Sequence, residues 1–339
     1  MHMTDALINP AVGGMMWAGS AGAIAYSVKK IKESDSEEKT APLMGVMGAF
    51  VFAAQMVNFA IPGTGSSGHI GGGILLAAVL GPFPAFLTLS VVLLIQALFF
   101  ADGGLIALGC NIFNMGVIPC FLIYPLIFQP IIKRGHTTRN FFLASVISST
   151  VNLEAGAFCV VVETLLSGIT ALPFREFLLL MLPIHLPIGL VEGVITASVL
   201  IYVFKVRPEI LHFLKNEEQP NKVPLRLILA SFSIVTILTA GFFSLHASTN
   251  PDGLEWSIAQ ITDSTEFNEE DSLPNKSAEI QHQHSVLPDY NFKGGKTLGN
   301  INGTTVAGFL GSGLVFVIAG VSGWLISKLK KRKRESNIE

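Results

Sequence analysis

The chain has 339 residues, of which 50% are hydrophobic and 14% charged, with a formal net charge of −2 and a mean hydropathy of +0.56. This balance excludes a soluble globular domain and a nucleic-acid binder, and it reads as an all-α polytopic membrane protein. No HExxH or GxSxG motif occurs, and Gly295-Lys296-Thr297 only imitates the end of a phosphate loop, because Tyr290 stands where its first glycine belongs.

Taken in order, the first nine residues carry no basic region followed by an apolar core and a small-residue cleavage site, so no removable signal is expected. A bulky second residue, His2, is expected to protect Met1 from removal. Apolar runs follow at 10–28, 43–61, 70–81, 83–100, 105–132, 141–167, 177–204, 227–245 and 304–326. Most reach the roughly 20 residues that cross a hydrocarbon core about 30 Å thick, giving a working count of nine spans. The third is short, and lies before the turn Gly81-Pro82-Phe83-Pro84. A broken or re-entrant helix is expected there, of the kind tolerated only where it is buried in protein or lines a cavity.

Charge placement orients the spans. Of 22 basic residues, 18 fall in four segments: Lys29 to Lys39, Lys133 to Arg139, Lys205 to Arg226, and Lys328 to Arg334. All four share the cytoplasmic side only if the amino terminus is outside and 70–132 crosses an odd number of times; three crossings fit best. The carboxy terminus is then cytoplasmic. The segment 247–303, with nine acids (Asp252, Glu255, Asp263, Glu266, Glu269, Glu270, Asp271, Glu279, Asp289) against three lysines (Lys276, Lys293, Lys296), is outside. Pro208, Pro220 and Pro224 mark a linker. The division is 1–205 as a seven-helix bundle, 206–226 as a cytoplasmic linker, and 227–339 as a module of two transmembrane helices flanking an extracytoplasmic loop. Cys110, Cys120 and Cys159 lie in apolar runs without CxxC spacing and are expected to pack as small apolar side chains.

The sharpest chemistry is at the start. A free Met1 amine, the His2 backbone amide once deprotonated, and His2 Nδ1 form fused five- and six-membered chelate rings in one plane. A second imidazole would complete four nitrogens in a square, which suits Ni(II) or Cu(II) and not tetrahedral Zn(II). His69, in Gly63-Thr64-Gly65-Ser66-Ser67-Gly68-His69, is expected on the same face as the amino terminus, and Gly65, Gly68, Gly71, Gly72 and Gly73 would allow close backbone approach to an ion. The alternative is a solvated loop histidine. Glu154, Glu163 and Glu192 fall within spans, where a carboxylate is expensive; each either has a function, faces a hydrated interior, or pairs with polar neighbours such as Asn152 or His185. His282 and His284 in the acidic loop could hold metal loosely, or be only solvated.

The opening Met-His-Met-Thr-Asp-Ala-Leu-Ile-Asn-Pro, the run Gly48-Ala49-Phe50-Val51-Phe52-Ala53-Ala54-Gln55-Met56-Val57-Asn58-Phe59, the loop Ser66-Ser67-Gly68-His69 and the stretch Gly103 to Gly116 resemble the substrate-capture subunits of nickel and cobalt energy-coupling-factor ABC transporters, the NikM and CbiM type, over residues 1–205. Pro251-Asp252-Gly253-Leu254-Glu255 is similar to the PDGLE-type accessory module. The resemblance implies a metal held by Met1, His2 and His69; the general order of affinities at nitrogen sites favours Ni(II), with Co(II) next. The resemblance also implies a separate transmembrane coupling subunit and cytoplasmic ATPase subunits, in a cytoplasmic (inner) membrane. Met3-Thr4-Asp5-Ala6 departs from the Met-His-Ile-Pro-Asp-Gly form of many members and blurs the signature separating nickel from cobalt. Two rivals remain: an ion-coupled secondary permease with Glu154 and Glu192 as a proton relay, and a membrane metalloenzyme using His69.

Overall fold

The computed structural model describes residues 2–34, 40–170, 172–214, 223–262, 264, 273–295 and 302–335. Met1, Lys39, Lys215, Lys222, Asp263, Glu266, Glu269, Glu270, Asp271 and Lys296 lie outside them, as do the side chains from residue 330 onward.

Helix α1 (Pro10–Glu33) starts where Asn9 accepts a hydrogen bond from Val12 N at 2.8 Å and Pro10 supplies a preset φ without needing a donor. After α2 (Thr40–Gln55), the chain leaves the helix and forms a hairpin of β1 (Phe59–Ile61) and β2 (Ser66–Gly68), with Phe59 opposite Gly68. The apolar run 43–61 is therefore two elements, since alternation is too short over three residues to be seen in it. Helix α3 (Gly73–Leu80) is buried along its whole length. Its eight residues span only about 12 Å. Gly81, with φ 86°, breaks it from α4 (Pro82–Phe100), because Pro82 cannot donate to a continuing helix.

Beyond α4 come α5 (Leu108–Ile132), containing Pro119 and Pro125, and α6 (Thr138–Ser167), capped by Thr137 and closed by left-handed Gly168. Then follow α7 (Phe174–Val206), α8 (Leu225–Gly241), α9 (Gly253–Thr262), α10 (Leu273–His284) and α11 (Gly303–Glu335). Among the described residues six helices are long and apolar enough to cross a membrane alone: α4, α5, α6, α7, α8 with its continuation to His246, and α11. The nine apolar runs thus do not translate into nine helices of spanning length: α2 has 16 residues and α3 eight.

Two glycine seams set the helix packing. A Cβ on Gly189 or Gly193 of α7 would stand 2.7 Å from Thr150 Cα or 2.5 Å from Val146 Cα of α6. Small residues let those backbones touch, which is how helices associate when no hydrophobic force separates protein from lipid. Helix α11 docks on α2 in the same way: Gly323 meets Ala41, and Gly311 lies under Phe52. The site end of the molecule has its own buried cluster, in which Met3, Leu7 and Ile8 meet Leu153 of α6, Met181 and Ile188 of α7, and Leu254 of α9.

A side chain at Gly311 would overlap the Phe52 ring, where a Cβ would come within 2.0 Å, whereas one at Gly313 meets nothing within 4 Å. Gly311→Leu should destabilise the protein by about 1–3 kcal/mol through overpacking. Gly313→Leu should leave it near wild type. Thermal unfolding of both variants in detergent checks this.

Candidate metal centre

Residues 2–8 have little helix of their own, yet His2, Met3, Asp5, Leu7 and Ile8 are buried. Their backbone groups must therefore be satisfied by other segments. Asn111 of α5 clamps Met3 from both sides, accepting from Met3 N at 2.8 Å and donating to Met3 O at 3.1 Å, and Gly104 N adds a second bond to that carbonyl at 2.8 Å. Asp5 Oδ1 accepts from the N–H groups of Ile106 and Ala107 at 2.8 and 3.0 Å. Gly104 must be glycine for this passage, because a Cβ there would fall 1.8 Å from Asp5 Oδ1. The stretch from Gly103 to Asn111 is the track on which the amino-terminal strand lies.

This track delivers His2 to His69. The two rings stack with centroids 5.3 Å apart and planes 22° from parallel. His2 Nδ1 lies 3.2 Å from Asp102 Oδ1, and its Nε2 lies 3.2 Å from Gln96 Oε1. Gln96 Nε2 donates to Gln55 Oε1 at 2.9 Å, and Gln55 Nε2 donates to Gly71 O at 2.9 Å. His69 turns Nδ1 toward Ile70 O at 3.0 Å, so its Nε2 is the nitrogen with a lone pair to offer. Burial lowers the pKa of both rings, opposed at His2 by the Asp102 carboxylate and bringing His69 to about 4, with neighbouring positive charge adding to it. The His69 imidazole is thus poised as a neutral donor. Met1, the third residue expected at this site, lies outside the described residues.

The loop behind His69 is fixed by Glu192 of α7, whose two oxygens accept from Gly71 N at 2.8 Å and Gly72 N at 3.0 Å. The expected partners of the intramembrane carboxylates are corrected here. Glu192 binds backbone, Glu163 accepts from Asn114 at 2.8 Å, and His185 Nδ1 bonds Met181 O at 2.7 Å; neither Asn152 nor His185 pairs with a carboxylate. Glu154 Oε1 is buried without a hydrogen-bond partner. The glycines of the loop also have another reason than ion approach: Gly68, Gly72 and Gly73 make way for Ile188, Val51 and Pro119. A small cavity does open beside His69, lined by Met115, Leu153, His185 and Asp252 among others.

The acidic segment supplies the lid. Asp252 caps α9, accepting from Leu254 N and Glu255 N at 2.8 and 2.9 Å, while Glu255 reaches back to Asp252 N at 3.1 Å. Pro251-Asp252-Gly253-Leu254-Glu255 is therefore a reciprocal capping box. Pro251 O accepts from Ser67 N at 2.8 Å, and Trp256 Nε1 donates to Thr64 O at 2.9 Å, fastening α9 to the hairpin that carries His69. Gly253 is bare where the His185 ring lies, 2.9 Å from an added Cβ. Burial works to raise the Asp252 carboxyl, but neighbouring positive charge and the Glu255 N–H hold it below the usual carboxylate range. On the other loop, Gln281 of α10 donates to Ala97 O and Gly103 O at 2.9 and 2.7 Å, and the Tyr290 hydroxyl donates to Asp102.

His282 and His284 do not join this site. His284 bonds its own helix at Ile280 O, and His282 faces Asp289 at 4.0 Å on an exposed surface. Among the described residues no three His, Cys, Asp or Glu side chains form a metal-holding group. Sequence reasoning missed Gln55, Gln96 and Asp102. The two glutamines stood as uncharged amides in apolar runs, where their polarity was the available signal.

Comparison with known proteins fits this geometry. Residues 2–210 match the family described as CbiM, cobalt uptake substrate-specific transmembrane region, and residues 226–328 match the PDGLE domain. A relative from Archaeoglobus fulgidus, named as a fused nickel transport protein NikMN, is 31% identical over 318 residues, covering 94% of this chain and 96% of its own. The fused nickel transport protein NikMN of Rhodobacter capsulatus is 28% identical over 275 residues, 75% of this chain and 76% of its own. A crystal structure of a transition metal transporter superposes with a TM-score of 0.55 at 33% identity, covering 64% of this chain and 98% of that one. The chain belongs to the CbiM/NikM family of membrane metal-transport components, fused to a PDGLE domain, and is a transport component rather than an enzyme.

Proposed function

We propose that the chain captures a divalent transition metal, Ni(II) in preference to Co(II), as the substrate-binding subunit of an energy-coupling-factor transporter. The substrate is held by the Met1 amine, the His2 amide and Nδ1, and His69 Nε2. The observation that carries this reading is the burial of the amino-terminal strand on the Gly103 to Asn111 track, which stacks His2 against His69. Two of the four nitrogens are then main-chain or terminal, so a group of three ligating side chains is not required. Nitrogen sites favour Ni(II) over Co(II) by the general order of affinities.

The proposal extends to the surroundings. The amino terminus faces outward and the carboxy terminus the cytoplasm of the inner membrane, with residues 1–205 as the capture bundle and 227–339 as the accessory module. A separate coupling subunit and ATPases supply the energy. Glu192 supports this over a proton-relay permease, since both its oxygens are committed to the His69 loop.

Three outcomes test the reading. A tag left on ahead of Met1 replaces the amine by a poor amide donor and should abolish tight Ni(II) binding, while a carboxy-terminal tag should not; equilibrium titration of both chains decides. Four nitrogens in a plane should give a low-spin, diamagnetic, yellow-orange Ni(II) complex. His69→Ala should open the fourth position to water and weaken binding, and a paramagnetic wild-type centre would remove the assignment.

The third outcome is pH dependence. Burial already holds the His69 ring near 4, so it stays unprotonated from pH 6 to 8. An amine with an ordinary pKa of about 7.7–8.0 must still lose its proton, as must the amide. Apparent affinity should therefore climb with pH across that window with protons released, read by titrations in several buffers, and a flat profile would exclude the amine.

A further inference from the structure

We infer that Gln55 and Gln96 are positioning residues that set which nitrogen of His2 is offered to the cation, and that the backbone of Ile70 and Gly71 sets both imidazoles of the site. The inference rests on the reading of His2 and His69 as ligands.

The argument is one of hydrogen-bond polarity. Amide oxygen and nitrogen have nearly the same shape, so an isolated glutamine can face either way. Here the chain of bonds ends on a group without that freedom, because Gly71 O is a carbonyl and only accepts. Gln55 must present its NH2 to that carbonyl, at 2.9 Å, which turns its Oε1 toward Gln96. Gln96 must then donate to Gln55, at 2.9 Å, which turns its own Oε1 toward His2 Nε2, at 3.2 Å. An acceptor at that distance requires Nε2 to carry the hydrogen. Nδ1 is left as the variable position, sharing a proton with Asp102 Oδ1 at 3.2 Å until a cation replaces it, and it is the nitrogen that closes a six-membered ring with the His2 backbone amide.

Asp102 completes the arrangement. Its Oδ1 lies 3.2 Å from Nδ1, and the Tyr290 hydroxyl donates to its other oxygen, so whatever occupies Nδ1 faces a fixed carboxylate. On the other ring, His69 donates Nδ1–H directly to Ile70 O at 3.0 Å and keeps Nε2 for the cation. Adjacent carbonyls therefore orient both rings, one directly and one through two amides. That stretch of backbone is pinned from α7, since Glu192 accepts from Gly71 N and Gly72 N. Outer partners of this kind fix the tautomer and orientation of ligating histidines.

The test uses the full chain with an authentic amino terminus, a carboxy-terminal tag and 15N-labelled histidine in detergent, with the His2 signals assigned by their loss in His2→Ala. In the wild type, Nε2 should carry a proton both without metal and with Ni(II). Gln96→Met should give mixed His2 tautomers and weaken Ni(II) binding about 10–100-fold. Gln96→Glu keeps an acceptor facing Nε2 in either charge state and should recover most of that loss. Gln55→Met never touches the ring, yet should mix the tautomers by freeing Gln96 to turn. A role in packing alone would leave Nε2 protonated in every variant and make Met and Glu at position 96 equivalent. The inference is overturned by an unprotonated Nε2 in the wild type, or by folded Gln96→Met binding Ni(II) as the wild type does. If Gln96→Met does not fold, Gln55→Met decides by the same readouts. Failure of the wild type to bind Ni(II), with Nε2 protonated, would overturn the ligand reading and leave the relay intact.

Discussion

The rest of the site depends on one constraint: an amino-terminal strand with little helix to satisfy its backbone is buried among helices. Each peptide group left without a partner there would cost about 1–3 kcal/mol. The partners found are specific. Asn111 spans both polar groups of Met3, Gly104 comes close enough to share its carbonyl, and Asp5 turns its carboxylate back onto the track. A strand held in this way has a defined register, and the register brings His2 under His69.

The scarcity of ligating side chains follows from the same economy. A membrane protein with few charges can build a nitrogen-rich site from its own terminus and main chain at the cost of two imidazoles. The carboxylates nearby serve the framework instead. Glu192 holds the His69 loop, Asp252 caps α9, and Asp102 faces the His2 ring. On the proposed function such an arrangement would offer a cation planar nitrogen donors and keep oxygen at the periphery, which would set it apart from sites for hard cations.

Much of this was legible in the sequence because the signals were long or chemically singular. Apolar runs placed the helices, Gly81-Pro82 marked the break after α3, and a histidine at position 2 pointed to His69. The losses have physical causes. Three-residue strands are too short to show alternation, so the first strand of the hairpin was absorbed into the run 43–61. Gly68, Gly72 and Gly73 read as room for an ion, but their space is taken by Ile188, Val51 and Pro119, which only tertiary packing reveals. Gln55 and Gln96 carry no charge and belong to no spaced motif. Their role depends on the direction of hydrogen bonds between segments 41 residues apart, which a linear reading does not contain.

The accessory segment acts on the site without adding a nitrogen to it. Through Pro251 and Trp256 it holds the hairpin before His69, and through Gln281 it holds Gly103 beside His2. His2 is only 8% exposed under this cover. Both loops are tied to described parts of the same accessory domain, so the hairpin before His69 and the Gly103 loop beside His2 share one support outside the helices that carry them.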